Sequence, residues 1–140
     1  MESEISWAAA IGITVPVTIV LIGAGFLIRE LAVRGADGRL QRNRIAGLRS
    51  PASLASDEAW LVAHEAGLVD TVRGGTVAIW SAVAAAVVAW LLGTLGAVDA
   101  EGVVMTWTVI LLAGVVGMSV LVLRGFIHGN RAAKAVASDR

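Results

Sequence analysis

Cysteine is absent from the 140 residues, which excludes a disulfide framework, a thiolate nucleophile and a Cys-ligated metal. Charge is scarce as well. Only 16% of residues are Asp, Glu, Lys or Arg against 57% apolar, a balance that suits one small membrane domain rather than a water-soluble globule. Histidine occurs twice, at His64 and His128, so no paired His ligands, Gly-rich phosphate loop or Ser/His/Asp set with a usable base can be assembled. The long apolar runs contain no ionisable side chain, whereas ion and proton pathways ordinarily place one there. The expectation is a non-enzymatic chain without metal or cofactor.

What the chain has in quantity is hydrophobic length. The 22 residues from Trp7 to Ile28 carry no charge, about 33 Å as a helix, enough to cross a hydrocarbon core of roughly 30 Å. The segment before them lacks Lys and Arg, and the run is longer than the apolar region of a signal peptide, so a membrane span is favoured over a cleaved leader. Pro16 lies mid-span and is expected to kink the helix. Two further runs, about 76–95 and 103–123, read as second and third spans. In the second, Ala82, Ala86, Ala89, Gly93 and Gly96 recur every three or four positions, a stripe that lets another helix backbone approach closely. Gly114 and Gly117 offer the same in the third. The Gly74-Gly75 pair reads as a hinge ahead of the second span.

Between the first two spans lies the one long polar stretch. Its first half carries Arg39, Arg42, Arg44 and Arg49 spaced by Leu40, Ile45 and Leu48, a basic segment with an apolar rib that suits a membrane surface. Gly47 can adopt positive φ, and Pro51 pushes Ser50 towards extended backbone, so a break is expected at about 47–55. A new helix should then run to about Leu68, capped by Ser53 or Ser56, with Asp57 and Glu58 at the positive end of its dipole. On that amphipathic helix Trp60, Ala63, His64 and Gly67 share a face.

Asn43, Gly47, Leu48, Arg49, Ser50, Pro51, Ser53, Leu54, Ser56, Glu58, Trp60, Ala63 and His64, in this order and spacing, resemble the signature loop of the SdpI family, bacterial membrane proteins named after a toxin-immunity protein. The resemblance is dense over about 39–67 and extends to the flanking spans by position and character. Two positions depart from the family's usual pattern: Ser50 replaces a Thr, and Glu65 a basic residue. Membership implies a role in immunity or signal relay through this loop. A structural accessory subunit, packed against a larger inner-membrane complex, is the alternative suggested by small-residue faces and mute spans.

Two readings stand for most of these side chains. Arg39, Arg42 and Arg44 could grip an acidic protein or a phosphate-bearing ligand, but basic residues beside a membrane commonly bind anionic headgroups, at about 1 kcal/mol each. Arg49, held between Gly47 and Pro51, could take a specific carboxylate, with Glu58 a candidate inside the chain. Asn43 is expected to brace the loop backbone. Trp60 and His64 either line a ligand or partner site or pack the helix onto the bundle, His64 bonding a loop carbonyl.

Charge placement sets the orientation. Of the eleven Lys and Arg, seven lie between the first and second spans and four after the third. Lys and Arg accumulate on cytoplasmic segments, so the N-terminus is expected outside and the loop and C-terminus inside. Trp7, Trp90 and Trp107 then fall near outer ends and Trp80 near an inner end, as interfacial anchors. The predicted fold is an all-α integral membrane protein: a single domain over 1–140 with spans at about 7–28, 76–95 and 103–123, a cytoplasmic loop and amphipathic helix at about 34–73, and a tail from 124. The expected setting is a bacterial plasma membrane with anionic lipid and a protein partner, and no nucleic acid. Because the chain lacks cysteine, single cysteines report this directly. A membrane-impermeant maleimide should label Asp99→Cys in intact cells and Arg44→Cys only after permeabilisation; the opposite pattern inverts the topology.

Overall fold

The structure, a computed structural model, describes residues 5–138. Among the described residues it holds three α-helices and no strand: α1 Trp7–Ala36, α2 Asp57–Thr94 and α3 Ala100–Ser138. All three are long and apolar enough to cross a membrane. They are also longer than their apolar runs. The 38 residues of α2 extend about 57 Å, well beyond a hydrocarbon core of roughly 30 Å. At the Arg-rich end, therefore, all three helices continue past their apolar stretches and enclose the loop.

Local chemistry sets the ends. Ser6 caps α1 by accepting from the Ala9 N–H at 3.2 Å, and Ser56, rather than Ser53, caps α2 by accepting from Ala59 at 3.0 Å, with Asp57 and Glu58 in its first turn. The α2 C-terminus closes in a Schellman turn. Gly96 takes φ +71° while Gly96 and Ala97 donate back to the carbonyls of Gly93 and Leu92. Gly96, expected in the packing stripe, is thus an exposed cap.

The Gly74-Gly75 pair is not a hinge, because α2 runs through it unbroken. A Cβ at Gly75 would lie 2.7 Å from the Gly25 carbonyl oxygen of α1, and one at Gly74 would lie 3.2 Å from that of Met118 in α3. Paired glycines let two helices approach α2 from different sides at one level. The tail likewise continues α3 to Ser138. Here, too, α2 supplies the partner surface, with Ala63 and Ala133 fully buried.

α2 is the central element: α1 and α3 each pack along it and touch one another little. Its buried stripe is Ala78, Ala82, Ala85 and Ala89, so Ala85 takes the place expected of Ala86. Against it pack Val103, Trp107 and Leu111 of α3, with Leu21 and Ile22 of α1 alongside. Trp107, expected as an interfacial anchor, is buried and donates its indole N–H to Thr18 Oγ1 at 2.9 Å. An indole inside an apolar bundle needs that acceptor, and Thr18 is within reach. Trp7 and Trp90 do pair at this end, ring centroids 5.9 Å apart. The outward faces stay apolar, Ile19 and Val20 being 65% and 67% exposed, which is the surface a bilayer covers.

Gly75→Val should lower the melting temperature in mild detergent, because a branched side chain forces α1 off α2. Gly12→Ala, where a Cβ meets nothing within 4 Å, should leave melting unchanged or raise it.

Candidate functional site: the loop folded on Trp60 and His64

Residues 37–56 form no regular helix or strand, yet side chains bind their backbone closely. Asn43 Oδ1 accepts from the N–H groups of Ile45 and Ala46, both at 2.8 Å, and its Nδ2 donates to the Gln41 carbonyl at 2.7 Å. This is the bracing role expected of it. Ser50 and Ser53, both buried, close a one-turn coil. Ser50 Oγ accepts from Ser53 N–H at 3.1 Å, Ser53 Oγ accepts from Ser50 N–H at 2.8 Å and donates to the Leu48 carbonyl at 2.7 Å. Pro51 sits at the first position of that turn, where its missing N–H costs nothing.

The loop is seated on α2 through two aromatic side chains. Trp60, 3% exposed, donates its indole N–H to the Leu40 carbonyl at 2.8 Å. His64, 2% exposed, lies against it with ring centroids 4.3 Å apart and the planes tilted by 47°. The Leu48 N–H donates to His64 Nε2 at 2.9 Å, so Nε2 is unprotonated. Nδ1 then carries the proton and donates to the Trp60 carbonyl at 2.8 Å. One neutral imidazole therefore ties the loop backbone to the helix backbone.

Glycine makes room for this ring on two sides. At Gly47, φ +97°, a Cβ would stand 2.5 Å from His64 Nε2 and 3.0 Å from the Trp60 ring, so both conformation and space require glycine. At Gly35 of α1 a Cβ would collide with the His64 ring itself. Leu48 in turn fits between helices, its Cδ1 2.6 Å from the Cβ position of Gly67 on α2 and 2.9 Å from that of Gly129 on α3.

The arginines divide in the structure. Arg42 pairs with Asp57 (Nε to Oδ1, 2.8 Å) and donates from Nη1 to the Leu54 carbonyl at 2.8 Å, pinning the loop to the start of α2. Arg49 donates from Nη1 to the Arg44 carbonyl at 2.6 Å. Arg39 pairs with Asp37, and Arg44 is exposed. Glu58 stands in the first turn of α2 beside Asp57.

Sequence reasoning missed Asp70. It is 7% exposed on α2, with Oδ2 3.2 Å from His128 Nδ1 and 3.7 Å from Arg124 Nε on α3. The available signal was the Arg124/His128 pair at i, i+4, which only helix pairing could match to an aspartate 54 positions earlier. Arg29, whose Nη1 reaches Thr76 Oγ1 at 3.3 Å, was likewise assigned no role.

A helical membrane protein with a rigid, backbone-braced loop docked on its central helix is the class these features define. Residues 39–123 match the SdpI/YfhL protein family, and the chain belongs to it. The match takes in the loop and the apolar parts of the two helices that hold it, and leaves out α1. No curated protein and no solved structure matches the chain.

His64 lies beyond Arg73, outside the apolar stretch of α2. Burial pushes its pKa below the ordinary 6.5, and the bond to the Trp60 carbonyl offsets this only in part. The folded protein thus takes up that proton less readily than the unfolded chain. Stability from this site should be complete above pH 6.5 and decline as pH falls through that value towards the lowered folded pKa. Melting compared between the wild type and His64→Ala across this range should show the decline attenuated in the variant. At neutral pH the variant should be less stable by about 1–3 kcal/mol, since the Leu48 N–H loses its acceptor.

Proposed function

We propose that the chain is a non-enzymatic SdpI-type protein of the bacterial plasma membrane whose loop, on the cytoplasmic side, is a preformed platform for a protein partner in toxin immunity or signal relay. The observation that carries this reading is the division of labour within the signature. Asn43, Gly47, Ser50, Pro51, Ser53, Trp60 and His64 are used in shaping the loop, while the arginines at positions 39, 44 and 49 stay at its surface. A rigid loop presents these cations at little entropic cost to a partner. Arg49 is the best placed for a carboxylate, since one N–H holds the Arg44 carbonyl and the rest of its guanidinium fork can take a bidentate acceptor. Arg39 and Arg44 suit anionic headgroups, and Arg42 is the one whose pairing with Asp57 favours a structural role.

His64 supports the non-enzymatic reading. Both its nitrogens are engaged and the ring is buried, which leaves no lone pair for general-base work. The Lys and Arg distribution supports the cytoplasmic placement of the loop.

An accessory subunit is the second reading, favoured by the apolar face of α1 turned away from α2, where Ile11, Ile19, Phe26 and Leu27 are exposed. Mild-detergent purification separates the two: a stable monomer without co-purifying chains counts against a subunit. For the platform, Arg49→Ala should lose partner recruitment and toxin protection while the protein still accumulates and melts as the wild type does. Trp60→Ala should lose both together with loop stability. Unchanged sensitivity and recruitment in both strains would remove the proposal.

A further inference from the structure

Beneath the loop lies a cavity of about 150 Å³, lined by Ile28 and Leu31 of α1, Leu48 of the loop, His64 and Thr71 of α2, and Val122 of α3. Its walls offer almost no polar atom to a guest. The Thr71 hydroxyl is committed to the Gly67 carbonyl at 2.8 Å, and both His64 nitrogens are taken. Walls of this kind offer water few partners and suit hydrocarbon.

Its position in the fold says where hydrocarbon would come from. Ile28 is the last uncharged residue of the apolar run in α1, and Val122 stands two residues before Arg124 on α3. The cavity thus sits where charge resumes on the helices, at the level of the bilayer's hydrocarbon edge. α2 forms its back and the loop its floor. Further along the apolar part of the bundle α1 and α3 are joined through Thr18 and Trp107, whereas here they flank the cavity from either side and leave its remaining side towards lipid. Arg29 and Arg49 directly follow the lining residues Ile28 and Leu48 in the chain, so two cationic residues stand next to the lining in sequence. Arg29 Nη1 reaches Thr76 Oγ1 and Arg49 Nη1 the Arg44 carbonyl, which leaves the other nitrogens of each guanidinium for an anion.

We propose that this cavity binds the headgroup-proximal part of one acyl chain of an anionic phospholipid, with Arg29 and Arg49 drawing its phosphate to the rim. The site rests on the membrane-spanning architecture; Arg49 is shared with the partner reading above, whereas Ile28 and Val122 belong to the cavity alone, so the chamber-filling variants separate the two. Occupancy would brace the loop from below, filling the void against which Leu48 and His64 are set.

Native mass spectrometry of the full chain in mild detergent, titrated with phosphatidylglycerol or phosphatidylcholine, tests it. One phosphatidylglycerol should be retained at least tenfold more strongly than phosphatidylcholine. Ile28→Phe and Val122→Phe, each made alone to fill the chamber, should abolish that retention, and Arg49→Gln should reduce the headgroup preference. Equal retention of the two lipids, or undiminished retention in a folded filled variant, overturns the proposal. A second measurement needs no variant: phosphatidylglycerol with a photoreactive group near the top of its acyl chain should crosslink the wild type within 26–33 and 118–124. Crosslinks spread along the exposed faces of the helices would mean ordinary annular contact and would also overturn it.

Discussion

A single neutral imidazole holds the loop end of this protein together. His64 receives the Leu48 N–H on one nitrogen and gives its proton to the Trp60 carbonyl from the other, so a segment without secondary structure acquires a fixed register on a helix. Everything nearby accommodates that ring: glycine at 35 and 47 clears space on two sides of it, and Trp60 leans against it while holding the Leu40 carbonyl. A buried backbone N–H without a partner is costly, and one side chain here meets that demand while leaving its own ring satisfied.

The second constraint is close helix approach. In lipid there is little hydrophobic drive to press helices together, and contact must come from packing between small residues. α2 meets α1 at Gly75 and α3 at Gly67 and Gly74, backbone against backbone. Gly67, together with Gly129 of α3, also forms the socket that receives Leu48. Loop and bundle therefore share one packing solution, which is consistent with a family match that takes in the loop, α2 and α3 as a unit.

The distribution of polarity then assigns the labour. The apolar stretches carry packing and, in Thr18 and Trp107, a buried hydrogen bond between helices. The chemistry lies at the other end, in the loop and in the Asp70, Arg124 and His128 contact that ties α2 to α3.

Much of this was legible from residue order. Run length and the absence of charge determined three spans, Asp57 and Glu58 after a candidate serine cap narrowed the start of α2 to Ser53 or Ser56, and the spacing of Trp60 and His64 put both rings on one helix face. These are local or periodic properties, set by 3.6 residues per turn and by capping chemistry. What the order of residues could not convey was which groups meet across the fold. A Gly pair reads as a hinge or as a contact until a partner helix is placed beside it, and Trp107 reads as an anchor until Thr18 is found within reach. Asp70 looks solitary until α3 brings His128 to it. Pairing between helices depends on rotation and relative height, neither of which composition or periodicity encodes, and so the tertiary structure alone decided them.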